Sequence, residues 1–140
     1  MNRILFALLV LLSTFVHAES FLQKESTKAL KEKKLILLNI TSERCPYCLK
    51  MKNDVFENKK YRARIDKKFV YVEMAFNDEN LPSELKARYL PTSYILVPKT
   101  LAVTDEFVGY LKPDHFLELL EEVYRQEMKS ASIGAPSKKQ

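Results

Sequence analysis

The sequence predicts an α/β fold: a central mixed β-sheet flanked by helices on both faces. Three observations lead there. Apolar runs of strand length alternate along the chain with amphipathic helical stretches, the order of a layered sheet. The first run, Leu35-Ile36-Leu37-Leu38-Asn39-Ile40, has no apolar/polar alternation, as a strand covered on both faces requires. Two later runs are joined by a link as short as Pro98-Lys99-Thr100, which suits an antiparallel hairpin.

The elements follow in order. Residues 20–34 are polar, with apolar positions at 21, 22, 29 and 30, and read as a short amphipathic helix. Residues 35–40 are the central strand, and Thr41 to Arg44 a polar turn. A helix starts near Cys45, where Pro46 occupies a first-turn position that needs no N–H; Leu49, Met51, Lys52, Val55 and Phe56 give its apolar face. Residues 69–74 form a second strand and 77–80 a turn. Leu81 to Tyr89 reads as a short helix opened by Pro82-Ser83-Glu84 and stopped by Pro91. Residues 93–97 and 102–108 are the hairpin strands, closed by Gly109. Pro113 to about Met128 is an amphipathic helix with Phe116, Leu117, Leu119, Leu120, Val123 and Tyr124 on its expected buried side. Residues 129–140 are small and polar, and a disordered tail is expected there.

Composition narrows the class. The chain has 140 residues, 46% hydrophobic and 29% charged, with a net charge of +5. That length supports one domain, and the balance is that of a globular protein. Two Cys rule out a disulfide-dense scaffold, and two Gly a glycine-rich phosphate loop.

The N-terminus reads as an address. Arg3 precedes an unbroken apolar run, Ile4 to Leu12, and small residues flank a cleavage point after Ala18. The run is shorter than the ~18 residues of a spanning helix. A signal peptide over 1–18 is expected, with a retained anchor as the alternative. The domain is then 19–128, in an oxidising compartment such as a bacterial periplasm.

The chemistry lies in Cys45-Pro46-Tyr47-Cys48, a CxxC motif at a strand-to-helix turn. A thiol at a helix N-terminus faces unpaired backbone N–H groups and the positive end of the helix dipole, both of which favour thiolate. At the free value of ~8.5 about 3% is thiolate at pH 7; at ~7 about half is. Arg44 pushes the same way. Cys45 is the expected attacker on a substrate disulfide, and Cys48, a turn further in, the resolver. As a structural staple the pair closes so small a loop that chain entropy gives only about 2 kcal/mol. Zinc needs about four ligands, and beyond the leader His115 is the sole histidine, so no metal is expected. Covalent haem of the c type needs His where Leu49 stands.

These residues resemble the thioredoxin superfamily over about residues 20–128. The resemblance rests on Leu35 to Ile40 before Cys45-Pro46-Tyr47-Cys48, then Tyr89-Leu90-Pro91-Thr92, a hairpin, a Gly and a terminal helix. It implies a thioredoxin-like fold, a redox-active Cys45–Cys48 disulfide, a cis Pro91 lying against it, and Leu90 as the position whose backbone pairs with an extended substrate. Small exported thioredoxin-related proteins of bacteria are the most similar type. Glutaredoxins share Cys-Pro-Tyr-Cys but add a Gly-Gly-containing glutathione site, where this chain has a lone Gly109. Periplasmic disulfide oxidases insert a helical domain between the CxxC and the cis-proline, and the interval here has no space for one.

Two departures from the family pattern stand out. Its buried aspartate before the motif is here Asn39, which cannot accept a proton; another acid, with Glu43 and Glu73 as candidates, or water must serve. Its Trp before the attacking cysteine is here Arg44, either a partner contact or a solvated loop residue. Lys59 to Lys68 holds six bases and one acid, the composition of a solvated helix face or of a docking site for an acidic partner. Lys138 and Lys139 keep the tail soluble. Tyr47 is a candidate for substrate contact or loop packing, and Tyr71, Tyr94 and Phe107 are expected in the core.

The expected function is an exported thiol:disulfide oxidoreductase acting on protein thiols and disulfides, more readily as a reductant fed by a membrane electron donor. A small disulfide oxidant, or a thioredoxin-fold binding module with a structural disulfide, are the alternatives. No cofactor and no nucleic-acid partner are expected, and the domain is expected to be a monomer.

Overall fold

The computed structural model describes residues 20–133; the expected signal peptide and residues 134–140 lie outside that range. Four strands form one sheet in the order β2-β1-β3-β4. They are β1 (Leu35–Thr41), β2 (Phe69–Ala75), β3 (Thr92–Leu96) and β4 (Val103–Val108). β1 runs parallel to β2 and antiparallel to β3, and β3–β4 is the expected hairpin, with a bulge between Ile95 and Leu96. The sheet is therefore mixed. Every residue of β1 from Leu35 to Ile40 is buried, the polar Asn39 included, as the lack of apolar/polar alternation requires.

Alternation along β1 divides the core in two. Leu35 and Leu37 face Met51, Val55, Phe56, Ile65, Phe116, Leu117 and Leu120. Those residues come from α2 (Pro46–Met51), a π-helical segment (Lys52–Phe56), α3 (Lys59–Lys68) and α4 (Pro113–Ile133). Ile36, Leu38 and Ile40 face the other way, onto Ala29 of α1 (Gln23–Glu32) and onto Leu81 and Leu85. Helices thus cover both faces. Lys33 ends α1 in the left-handed region at φ 54°, the usual geometry after a helix C-terminus.

The structure departs from the sequence reading in three places. The helix starting at Cys45 changes to π geometry at Lys52 and stops at Glu57. Asn58 then caps a separate α3, its Oδ1 accepting from the Lys60 N–H at 3.1 Å. The expected helix over Leu81 to Tyr89 is only a 3₁₀ turn, Ser83–Leu85. Leu81 and Leu85 are both buried at 3% exposure, and inserting both into the sheet face holds the backbone to that single turn. Lys86 is already extended, at ψ 104°. Finally, α4 continues past Met128 to Ile133, so the expected tail begins as helix. Pro113 opens it and no residue between Phe116 and Ser132 breaks it.

Candidate active site

Register places the functional loops at one end of the sheet. Ile40 pairs with Thr92, Thr92 with Val108, and Thr41 with Ala75. The CxxC loop leaves β1 there, the Pro91 loop enters β3 there, and Phe76 and Gly109 follow the ends of β2 and β4. The Leu90–Pro91 peptide is cis, as the resemblance implies. Pro91 is buried and its carbonyl accepts from the Gly109 N–H at 2.7 Å, which ties the proline loop to the end of β4. Gly109 sits at φ +85°, where a side chain is disfavoured.

Cys45 and Cys48 are joined by a disulfide across a Cα–Cα distance of 5.2 Å. Cys45 is the N-cap of α2, and its Sγ accepts from the Cys48 N–H at 3.1 Å. That sulfur therefore lies where unpaired helix N–H groups converge, the arrangement that favours negative charge. Exposure separates the two sulfurs: Cys45 is half-buried, whereas Cys48 is 2% exposed. Pro46 takes the first helical position as expected.

Behind Cys48 lies a cleft of about 360 Å³, lined by Cys48 with Thr41, Glu43, Lys52, Glu57 and Glu73 among others. Asn39, 1% exposed, is opposite Glu73 in the parallel register. Its Oδ1 accepts from the Ser93 hydroxyl at 3.2 Å. Tyr71 donates to Glu73 Oε2 at 2.9 Å, and Lys52 Nζ to Glu73 Oε1 at 3.1 Å. Burial pushes the Tyr71 phenol well above its ordinary range, so it stays a donor; Glu73 likewise holds the Lys52 ammonium above its usual value.

α2 is also held from its other side. Lys50 and Tyr110 each reach Asp54 Oδ2 at 2.8 Å, and the ammonium sits over the Tyr110 ring. Tyr47 and Leu49 beside the cysteines, Phe76 just after β2 and Tyr89 just before the cis peptide are exposed large hydrophobic side chains. Arg44 and Phe76 line a further groove of about 640 Å³ with Ser42, Glu43, Ala75 and Asn77.

A family model of the thioredoxin-like domain matches residues 22–124. The chain belongs to that family. Its class of chemistry is thiol–disulfide exchange at a CxxC pair, and the described residues carry that pair as a disulfide. The chain matches no curated protein. A thioredoxin from Thermus thermophilus shares the fold at 22% identity and TM-score 0.61, covering 79% of this chain and 87% of that one. The periplasmic thioredoxin SoxS from Paracoccus pantotrophus aligns at 18% identity and TM-score 0.54, over 67% of this chain and 99% of its own. The oxidised C-terminal domain of DsbD from Neisseria meningitidis aligns at 17% and 0.57, over 71% and 89%.

Of the residues singled out from sequence, Cys45, Cys48, Leu90 and Pro91 all come to the same sheet end. Glu43 and Glu73 both line the cleft behind Cys48. Among the described residues no group of three His, Cys, Asp or Glu is placed to hold a metal ion. Tyr94 is buried in the core as expected, and Phe107 packs edge-on against Phe116. Tyr71 stacks on Phe56 at 4.5 Å but also carries the hydrogen bond to Glu73, a second role the strand pattern does not reveal. Phe76, exposed and lining the groove with Arg44, is a residue that sequence reasoning does not single out. Its only sequence signal is an aromatic residue standing between an apolar strand and a polar turn.

Proposed function

We propose that this thioredoxin-like protein is an exported oxidoreductase exchanging disulfides with protein substrates through Cys45 and Cys48, and that it works as a reductant fed by a membrane electron donor. The observation that carries the reading is the asymmetry of the pair: Cys45 is half-buried at a helix N-terminus and Cys48 is nearly fully buried behind it. In the dithiol form, the Cys45 thiolate attacks a substrate disulfide. One substrate sulfur leaves as a thiolate and takes up a proton, and a mixed disulfide forms on Cys45. Cys48 gives up its proton and attacks Cys45 Sγ, the mixed disulfide breaks, and the second substrate thiol departs. Two electrons pass from the dithiol to the substrate. The membrane donor then restores the dithiol.

Leu90 and Pro91, entering β3 beside the disulfide loop, position the substrate strand. The exposed Tyr47, Leu49, Phe76 and Tyr89 offer an apolar rim for a protein partner. The apolar N-terminal run and the periplasmic setting of SoxS support export. The reducing direction is supported by the lack of space for an inserted helical domain between Cys48 and Pro91.

The test is insulin disulfide reduction by the wild-type protein and by Cys45→Ser. Loss of turnover in the variant is expected; equal activity would leave only a binding module. Cys48→Ser should hold substrates as mixed disulfides on Cys45, which identifies them. Thiol alkylation in the cell reads direction: a mostly reduced pair is expected, and a mostly oxidised one would make the protein an oxidant.

A further inference from the structure

We propose that Glu73 is the proton acceptor for Cys48, standing in for the carboxylate missing at Asn39 and reached through the cleft behind the disulfide. The inference rests on the oxidoreductase reading above and adds the residue that lets the second step run near neutral pH.

Resolution requires Cys48 to lose a proton, and at 2% exposure it cannot pass one freely to bulk water. Asn39, on the strand beneath it, has an amide that takes no proton. Cys48 and Glu73 nevertheless line the same cleft, whose 360 Å³ holds several waters at roughly 30 Å³ each. β2 lies next to β1 in parallel register, so Glu73 is the direct partner of Asn39, on the sheet face that carries α2. The carboxylate has moved one strand sideways.

Three carboxylates line the cleft, and geometry selects Glu73. Glu43 sits on the exposed loop, and the Glu57 side chain is 59% exposed against 28% for Glu73. Glu73 is also fixed at both oxygens, by Tyr71 on one and Lys52 on the other. Each carboxylate oxygen can accept about two hydrogen bonds, so a lone pair remains on each for water. The charged and titratable groups around it are Lys52 and Glu57 from the π-helical segment, Tyr71 from its own strand and Glu43 from the loop; Arg62 of α3 lies over the Tyr71 ring at 4.6 Å.

The step balances. The Cys48 proton passes through water to Glu73, and the Cys48 thiolate forms a bond to Cys45 Sγ as the bond from Cys45 to the substrate sulfur breaks. The departing thiolate collects a proton, and Glu73 releases its own to solvent. In the reverse direction Glu73 returns a proton to Cys48.

The purified protein carrying a glutathione mixed disulfide on Cys45 isolates this step. After a jump from acid to pH 5–8, glutathione release reports attack by Cys48. Glu73→Gln is expected to slow release by roughly tenfold or more at pH 6, with the gap closing as pH approaches the thiol's own ionisation. Glu73→Asp should recover part of the rate. A purely structural role predicts neither recovery by Asp nor a gap that depends on pH. Alkylation of Cys45 in the reduced protein should be unchanged by Glu73→Gln. Superimposable profiles for wild type and Glu73→Gln would overturn the assignment, as would a loss confined to Glu43→Gln. Wild-type protein that reduces no insulin overturns the oxidoreductase reading itself, a result distinct from either of these.

Discussion

Asn39 and Glu73 are direct partners across the parallel β1–β2 pair, and the Tyr71 phenol donates to the Glu73 carboxylate at 2.9 Å. The amide is the buried member and the carboxylate the one that lines a cleft with room for several waters. A carboxylate at position 39 would have to ionise in the protein interior beside another negative charge. On Glu73 the charge keeps Lys52 as a counter-ion and part of its hydration. The amide at 39 can then satisfy Ser93 without a charge to solvate.

Restoring the family's acid at that position, Asn39→Asp, should therefore destabilise the fold in a pH-dependent way. Burial and the neighbouring Glu73 both raise the new carboxyl above its unfolded value of ~3.9. A carboxyl raised in the folded state binds its proton there more tightly than in the unfolded chain, so stability falls as pH rises through that window. Unfolding free energies from urea titrations should be close to wild type near pH 4 and lower by about 1–3 kcal/mol at pH 7. An equal gap at both pH values would mean that the loss is steric.

The Lys50–Asp54–Tyr110 cluster gives a second pH signature. Hydrogen bonds from Lys50 and Tyr110 hold the Asp54 carboxyl below its ordinary range. Its contribution is full above the unfolded ~3.9 and is lost as pH falls through the depressed folded value. The same bonds to Asp54 raise Lys50 and Tyr110, so their contribution is full below ~10 and fades above it. The stability difference between wild type and Asp54→Asn should be flat from about pH 5 to 9 and shrink outside that range. Because the cluster pins α2, amide exchange at Leu49 to Asp54 should quicken in the variant.

The same region shows what a sequence can carry. Leu35 to Ile40 announces a central strand because five of its six residues are large and apolar and they do not alternate with polar ones, as burial on both faces requires. Cys45 to Cys48 announces the site because thiol chemistry needs two sulfurs and a helix start within one short turn. Glu73 is only one of two candidate acids at the level of sequence. In Val70-Tyr71-Val72-Glu73 the alternation says that Tyr71 and Glu73 share a face, but which face meets the helices is set by pairing with a distant strand. Leu81 to Tyr89 looks helical by composition and is overridden by the burial of Leu81 and Leu85, a tertiary demand invisible to local propensity.

Gly109→Ala tests the link between the proline loop and β4. A methyl group added at Gly109 would meet no atom within 4 Å, so steric crowding is not the issue. The cost comes from φ +85°, where an L side chain loses about 1–2 kcal/mol. If the backbone shifts to relieve that strain, the Gly109 N–H leaves the Pro91 carbonyl it reaches at 2.7 Å. The expected result is a drop of that size in urea stability together with faster exchange of the Gly109 amide. An unchanged midpoint would show that the turn relaxes at no cost.

Phe116→Ala should be far more damaging, and its reach should extend to the site. Phe116 is fully buried on α4 and meets Phe56 and Phe107 edge-on, each at 5.9 Å between ring centres. Phe56 ends the π-helical segment that continues α2, and Phe107 lies on β4 just before Gly109. One ring thus braces the cysteine helix and the strand tied to the proline loop through Gly109. Truncation removes the burial, both aromatic contacts and the packing around them, an expected loss of about 3–5 kcal/mol. Phe116→Leu keeps most of the volume and should cost less than half as much. If the brace matters to the site, Phe116→Leu will also change the rate at which iodoacetamide alkylates reduced Cys45, under conditions where the variant is fully folded. An unchanged rate would confine the role of Phe116 to stability.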